Sequence, residues 1–251
     1  MSNIALLGQQ IRRAMVIARK DIRIYYSKGP VIIFGVLFPV FLFLSFTIGR
    51  QMSVEFMISG LLSMILFFTA TSISPIVVPW EAQAKTLERL MSSPLRIETI
   101  IAGDILASFA FGTAIVFVPV IIGIIMGITI SNPVIFILAM ILGSLCFASL
   151  GNVFSIPPTN LPSTVNMIAA VVKFPVVFIS GIFIPLNELP LWGQVISYIS
   201  PLTYLTDIAR NCIQKQGYLP IALDFAAIIA FTVIFLVVAM NLHSRTMPKR
   251  I

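Results

Sequence analysis

Apolarity and charge alternate along this chain in long blocks rather than short periods. Apolar runs fill 31–49, 56–78, 105–128, 134–156, 165–184 and 221–240. Each holds about 18 residues or more, enough to cross a hydrocarbon core of about 30 Å as a helix. The pattern predicts an all-α integral membrane protein, a single transmembrane domain over 1–251 with six transmembrane helices. Ahead of the first run, Ile4, Leu7, Ile11, Met15, Ala18, Ile22 and Tyr25 recur at helical steps. Arg12, Arg13, Arg19, Lys20 and Arg23 occupy much of the rest, which describes a basic amphipathic interface helix within 1–30, ended by Gly29-Pro30. Residues 50–55 form a short hairpin, Ser131-Asn132-Pro133 a tight turn, and 157–162 an uncharged loop.

A charged island at 81–96 separates the second and third runs. Ala84, Leu87, Leu90 and Met91 fall on one helical face, and Glu81, Lys85, Glu88 and Arg89 on the other. Glu81 and Lys85 stand four apart, acid first, the favourable order for an ion pair on a helix. Ser92-Ser93-Pro94 stops the helix, because the residue before proline is pushed out of the α region. A loop that only sets topology needs neither two faces nor a clean stop, so the island reads as a docking helix.

The exterior or re-entrant segment at 185–219 is different in kind. Pro185, Pro190 and Pro201 cut it into short pieces, and Leu189, Trp192, Val195, Ile196 and Ile199 share a face. Trp192, Tyr198 and Tyr204 suit the membrane interface. Two short helices dipping into the outer leaflet fit the pattern. The next helix starts after Pro201 and puts Asp207 and Arg210 one turn apart, within pairing reach.

Composition agrees: 59% of residues are hydrophobic and 10% charged. A soluble core cannot hide that surface, and a β-barrel is excluded by the run lengths and the lack of alternation. The net charge of +7 would suggest nucleic acid in a soluble protein; here it is a topology signal. Twelve Lys and Arg fall on the side of the termini and island, against Arg50, Arg210 and Lys215 on the other. Both termini are therefore expected in the cytoplasm, in a multi-pass protein of the cell membrane. No cleavage site follows the first run, which reads as a retained span.

Candidate chemistry is sparse. Cys146 and Cys212 are too far apart in the pattern to suggest a disulfide, and the single His243 makes no histidine metal site. No phosphate-binding loop is present. Lys173, in mid-span, contacts substrate, pairs across a dimer, or is neutral and bonded to a backbone carbonyl. Asp104 and Asp224 are expected wet, in the first turns of the third and sixth helices. Gly123 and Gly127 form a Gly-x-x-x-Gly pair suited to close packing.

Two segments carry a family resemblance. Ser180-Gly181, Phe183, Pro185-Leu186, Leu189-Pro190, Trp192, Gln194, Ser197, Pro201-Leu202-Thr203-Tyr204, Asp207 and Arg210 form one; Glu81, Lys85-Thr86-Leu87-Glu88-Arg89-Leu90 and Ser93-Pro94 form the other. Together they resemble the membrane subunits of type-2 ABC exporters, in the drug-export branch typified by daunorubicin-resistance permeases. The resemblance implies a permease without its own nucleotide site. Two copies would form the path, and cytoplasmic ABC ATPase subunits would hold ATP and Mg; this chain itself would carry no cofactor. The island would be the coupling helix, the N-terminal helix a second ATPase contact, and 185–204 the outer gate. The implied substrate is a drug-like or lipid-like amphipath, although polysaccharide exporters share the fold. Lys173 departs from the family, which is usually apolar there. The competing reading is an ion-coupled secondary transporter without an ATPase, which needs ionisable groups at mid-depth; Lys173 alone qualifies. An intramembrane enzyme lacks the nucleophile–base or metal set.

Overall fold

The computed structural model describes residues 3–26, 28–49, 52–93 and 95–250, with side chains from Gly8 onward except that of Pro30. Arg50 of the charge count, Arg50 and Gln51 of the expected hairpin and Pro94 of the expected stop lie outside the described residues, as do the side chains of Ile4 and Leu7. Among the described residues the secondary structure is helical throughout. Helix α1 covers Asn3–Asp21 and continues as a π-helical turn, Ile22–Tyr26. Next come α2 (Gly29–Ile32), a second π turn (Ile33–Leu37) and α3 (Phe38–Thr47). They are followed by α4 (Val54–Ser72), α5 (Ser74–Gln83), α6 (Thr86–Ser92), α7 (Ile97–Ile125), α8 (Pro133–Phe154) and α9 (Pro162–Ile179). A 3-10 turn at Leu186–Glu188 leads to α10 (Leu191–Ser197), α11 (Pro201–Gln214) and α12 (Ile221–Thr246).

Five helical stretches are long and apolar enough to cross a membrane: Val54–Gln83, Ile97–Ile125, Pro133–Phe154, Pro162–Ile179 and Ile221–Arg250. The expected first span is instead the shorter apolar stretch Ile33–Thr47. Its π turn has a local cause. Pro39 offers no N–H to the Gly35 carbonyl, and the Phe38 N–H reaches back five residues to Ile33 O.

Proline also starts several helices cleanly. Pro133, Pro162 and Pro201 stand in the first turns of α8, α9 and α11, where the missing N–H costs nothing. Ser53 caps α4 by accepting the Phe56 N–H at 3.3 Å.

Helix α4 is the centre of the bundle. Every residue from Ile58 to Thr71 except Leu61 is buried; α3, α7, α8 and α11 pack around it. Its hydroxyls satisfy themselves locally: Ser63 donates to Ser59 O at 3.0 Å, Thr69 to Ile65 O at 2.7 Å and Thr71 to Phe67 O at 2.6 Å. Close approach of α7 depends on Gly112, where a Cβ would stand 3.1 Å from that of Ala70. Aromatic rings fill the remaining space. Phe38 packs edge-on to Phe68 and Phe174, with centroids 5.7 Å away in both cases, and Phe67 meets Phe147 at 5.1 Å. The outward faces of α7, α9 and α12 stay apolar; Ile125 and Val171 are 79% and 70% exposed. Such a surface belongs in hydrocarbon.

The Gly123/Gly127 pair divides its work. Gly123 admits Ile58, whose Cγ2 would lie 3.0 Å from an added Cβ. Gly127 instead ends α7 at φ +85°. The Ile128 N–H returns to Gly123 O and the Gly127 N–H to Ile124 O, both at 3.0 Å, a complete Schellman cap.

Candidate functional site

The island is not one helix. Helix α5 ends at Gln83, Lys85 adopts the left-handed conformation (φ 55°), and α6 begins at Thr86. On a continuous helix, Glu81 and Leu87 would point about 120° apart. The break turns both inward. Leu87 is fully buried in a cluster with Ile17, Val78, Ile100 and Met247, which ties α6 to α1, α5, α7 and the C-terminal turn. Leu90 and Met91 pack against the same cluster from the surface. Thr86 is half-buried, its hydroxyl on Glu81 O at 3.2 Å. Lys85, Glu88 and Arg89 are exposed.

Glu81 does not pair with Lys85. It is 1% exposed and bonds the Lys20 ammonium, reached across from α1. Lys20 also lies 3.0 Å from Asp21 Oδ1. Asp21 and Asp104 are both buried beside it, so one lysine faces three carboxylates where α1, α5 and α7 meet. Burial lowers the Lys20 pKa, but Asp21 and then Glu81 outweigh that and hold it above its ordinary value. Asp104 is therefore neither wet nor in a first turn, because α7 starts seven residues before it. An isolated acid, Asp21, inside a basic stripe was the available signal for this cluster.

Helix α1 also differs from its expected stripe. Its buried side is Ala14, Ile17, Ala18 and Asp21, packed on α7 where Gly103 leaves room; an added Cβ would lie 2.6 Å from Ile17 Cγ2. Ile11, Met15 and Ile22 face outward. Arg12, Arg19 and Arg23 are exposed, Arg13 is half-buried, and Lys20 has turned inward. The cause is that small residues let two helices approach closely, which leaves the larger apolar residues facing outward.

Lys173 lies buried on α9, and its Nζ donates to Thr71 O at 2.7 Å. That carbonyl lacks its usual helical partner because Pro75, four residues on, has no N–H. The proline offset was legible in the sequence; that α9 supplies the donor was not. Lys173 and Asn166 line a cavity of about 200 Å³ between the first apolar segment, α4–α5 and α9. Phe34, Phe38, Phe68 and Phe174 supply much of its wall, and Trp80 closes one side.

At the opposite end of the bundle the family-like residues form a hydrogen-bond frame. The Ser180 and Ser200 hydroxyls meet at 2.8 Å, Thr203 donates to Ser197 O at 2.7 Å, Gln194 to Leu189 O at 2.8 Å, and the Tyr204 hydroxyl to Tyr198 O at 2.8 Å. Pro201 and Tyr204 are buried and Pro185 half-buried, whereas Trp192 is 67% exposed on the outward apolar face of α10. Asp207 and Arg210 do not form the expected ion pair. The Asp207 carboxylate accepts the Tyr218 and Leu219 N–H groups, each at 2.7 Å. Arg210 donates to Gly181 O and lies 4.1 Å over the Phe56 ring. Two backbone N–H donors in a fixed turn compete well for a carboxylate. Asp224, expected wet, is fully buried beside Asp207.

Both cysteines are free and buried. Among the described residues no three His, Cys, Asp or Glu side chains have metal-ligand geometry. His243 instead links α12 to the end of α8, its Nε2 2.8 Å from the Ser155 hydroxyl.

Long apolar helices around a buried central helix, with charge gathered at the ends, define a multi-pass helical membrane protein. The ABC-2 type transporter family matches residues 11–213, and the chain belongs to that family of transporter membrane domains. No curated protein matches the chain.

Proposed function

We propose that this chain is the permease subunit of an ATP-driven exporter of hydrophobic or amphipathic molecules, in the drug-export branch of its family. ATP and Mg would be held by separate cytoplasmic ATPase subunits, and a second permease protomer would complete the path. In this reading α2–α3 is the first of six crossings, and the end bearing α1 and α6 faces the cytoplasm of a plasma-membrane protein. The lysine and arginine asymmetry supports that orientation.

The observation that carries the proposal is the construction of α6. Its inner side is anchored by Leu87 in a cluster shared with four other elements, while Lys85, Glu88 and Arg89 project outward. A helix held this firmly, with a charged outer face, suits a rigid docking element. Force on that face would pass through the buried Leu87 and Glu81 into α5. Ile76 and Trp80 of α5 line the Lys173 cavity, so movement of α5 would reshape it. The frame around Ser180, Thr203 and Tyr204 would serve as the outer gate. The bundle's ionisable cluster lies where α1 meets α5 and α7, so the ion-coupled reading gains no mid-depth acid from it.

The test is co-purification with candidate ABC ATPase subunits from the same organism. Glu88→Arg with Arg89→Glu should abolish ATPase binding and leave the thermal midpoint unchanged. Equal binding by that variant, or no ATPase on the wild type, would overturn the assignment. Leu87→Asp is unsuitable as the test, because it puts a charge into the core.

A further inference from the structure

The geometry points to the Lys173 cavity as a site for a fatty-acid-class carboxylate, a single acidic head on one apolar chain. It rests on the exporter reading only in calling that ligand the substrate. Lys173 is the sole charged residue among those lining the cavity. An ammonium has three donors; one goes to Thr71 O. The ion pairs among the described residues are both made by Lys20, so Lys173 has no carboxylate partner there. The Phe154 ring, 6.0 Å from Nζ, is at the far limit of a cation–π contact. A buried ammonium without an anion is unfavourable, and an anionic ligand head removes that penalty.

The walls select the rest of the ligand. They are mostly apolar and aromatic, and Phe34 and Phe174 among them are also exposed at the outer surface, so the cavity is open on one side. A single point charge suits a carboxylate, whereas phosphate favours a bidentate guanidinium or several donors. The cavity of about 200 Å³ is smaller than the roughly 300–1,000 Å³ of sites for drug-sized ligands. One chain fits with its tail leaving through the open side; a two-chain phospholipid does not.

The two tryptophans, Trp80 at the cavity and Trp192 at the far end, make this measurable. Wild type and variants in nanodiscs of neutral phosphatidylcholine, without ATPase, are titrated with cis-parinaric acid and its methyl ester. In a Trp192→Phe background, energy transfer from Trp80 should saturate with the acid at a Kd about tenfold or more below that of the ester, the size of one charge-assisted hydrogen bond. Lys173→Met should erase the difference; Lys173→Arg should keep most of it. Equal binding of acid and ester by the wild type overturns the proposal, as does an acid preference that survives Lys173→Met. Transfer from Trp192 alone, in a Trp80→Phe background, overturns it as well. The wild-type comparison decides even if Lys173→Met does not fold. Failure of the exporter reading would appear in the ATPase co-purification and leave this titration intact.

Discussion

Replacing Lys20 with methionine should release α1 from the bundle. Lys20 bonds Glu81 and lies 3.0 Å from Asp21, with Asp104 buried alongside. Methionine keeps the length of the side chain and removes its charge, so the carboxylates stay buried without their cation. Breaking a buried pair from one side costs about 3–5 kcal/mol. The Lys20 side chain is 29% exposed, so water recovers part of the loss and the low end applies, about 3 kcal/mol. That is about a hundredfold in the ratio of docked to undocked α1. Two readouts follow from the geometry. Trypsin should cut faster after Arg12, Arg19 and Arg23, and Trp80 emission should shift as Tyr25, stacked on it at 5.5 Å, moves away. Glu81→Leu combined with Lys20→Met should be milder than the sum of the single changes by about 1 kcal/mol or more, because the pair shares one interaction. Cleavage rates within threefold of wild type, or strict additivity, would refute the claim that this cluster holds α1.

Three further outcomes are expected. Gly103→Ala sets a methyl group 2.6 Å from Ile17 Cγ2 and should destabilise the α1–α7 contact by about 1–3 kcal/mol, read as faster tryptic release with an unchanged oligomeric state. Asp207→Asn weakens the acceptor of two backbone N–H bonds and should lower the thermal midpoint, at about 1.5–3 kcal/mol for hydrogen bonds to a charged group; a rise in midpoint would contradict the assigned role. Because the Lys20 pKa is raised on docking, its contribution is fully present below its ordinary value of about 10.4 and is lost only as pH climbs through the higher docked value. Tryptic protection of α1 measured from pH 7 to 10 should therefore show no loss attributable to Lys20.

Five of the six long apolar runs correspond to helices long enough to cross a membrane, since length and hydropathy mark a span; the run at 31–49 gave the shorter stretch Ile33–Thr47. Prolines marked breaks: the helix expected after Pro201 begins there, and Pro133 and Pro162, expected in a turn and a loop, open α8 and α9, whereas Pro75, inside an apolar run, was not singled out. Ser180, Gln194, Ser197, Thr203 and Tyr204 were singled out as a motif, and they form the frame at the far end. Local pairing rules misled in two places. Glu81 with Lys85, and Asp207 with Arg210, have the right spacing on a helix, yet each acid binds a partner from another part of the chain.

Local sequence thus determined which stretches are helical and which residues are too apolar for water, because both depend on backbone chemistry and hydropathy within a few residues; it did not show the break of the island at Lys85 or the start of α7 at Ile97. Tertiary structure alone decided which charge meets which, that Lys20 turns inward to Glu81, that Leu87 anchors α6 from beneath, and that Lys173 reaches a carbonyl on another helix. The physical reason is dielectric. In a buried, water-poor site an unpaired charge or carbonyl is costly, so the nearest partner in space prevails over the nearest in sequence, and spatial proximity is set by packing across the whole bundle.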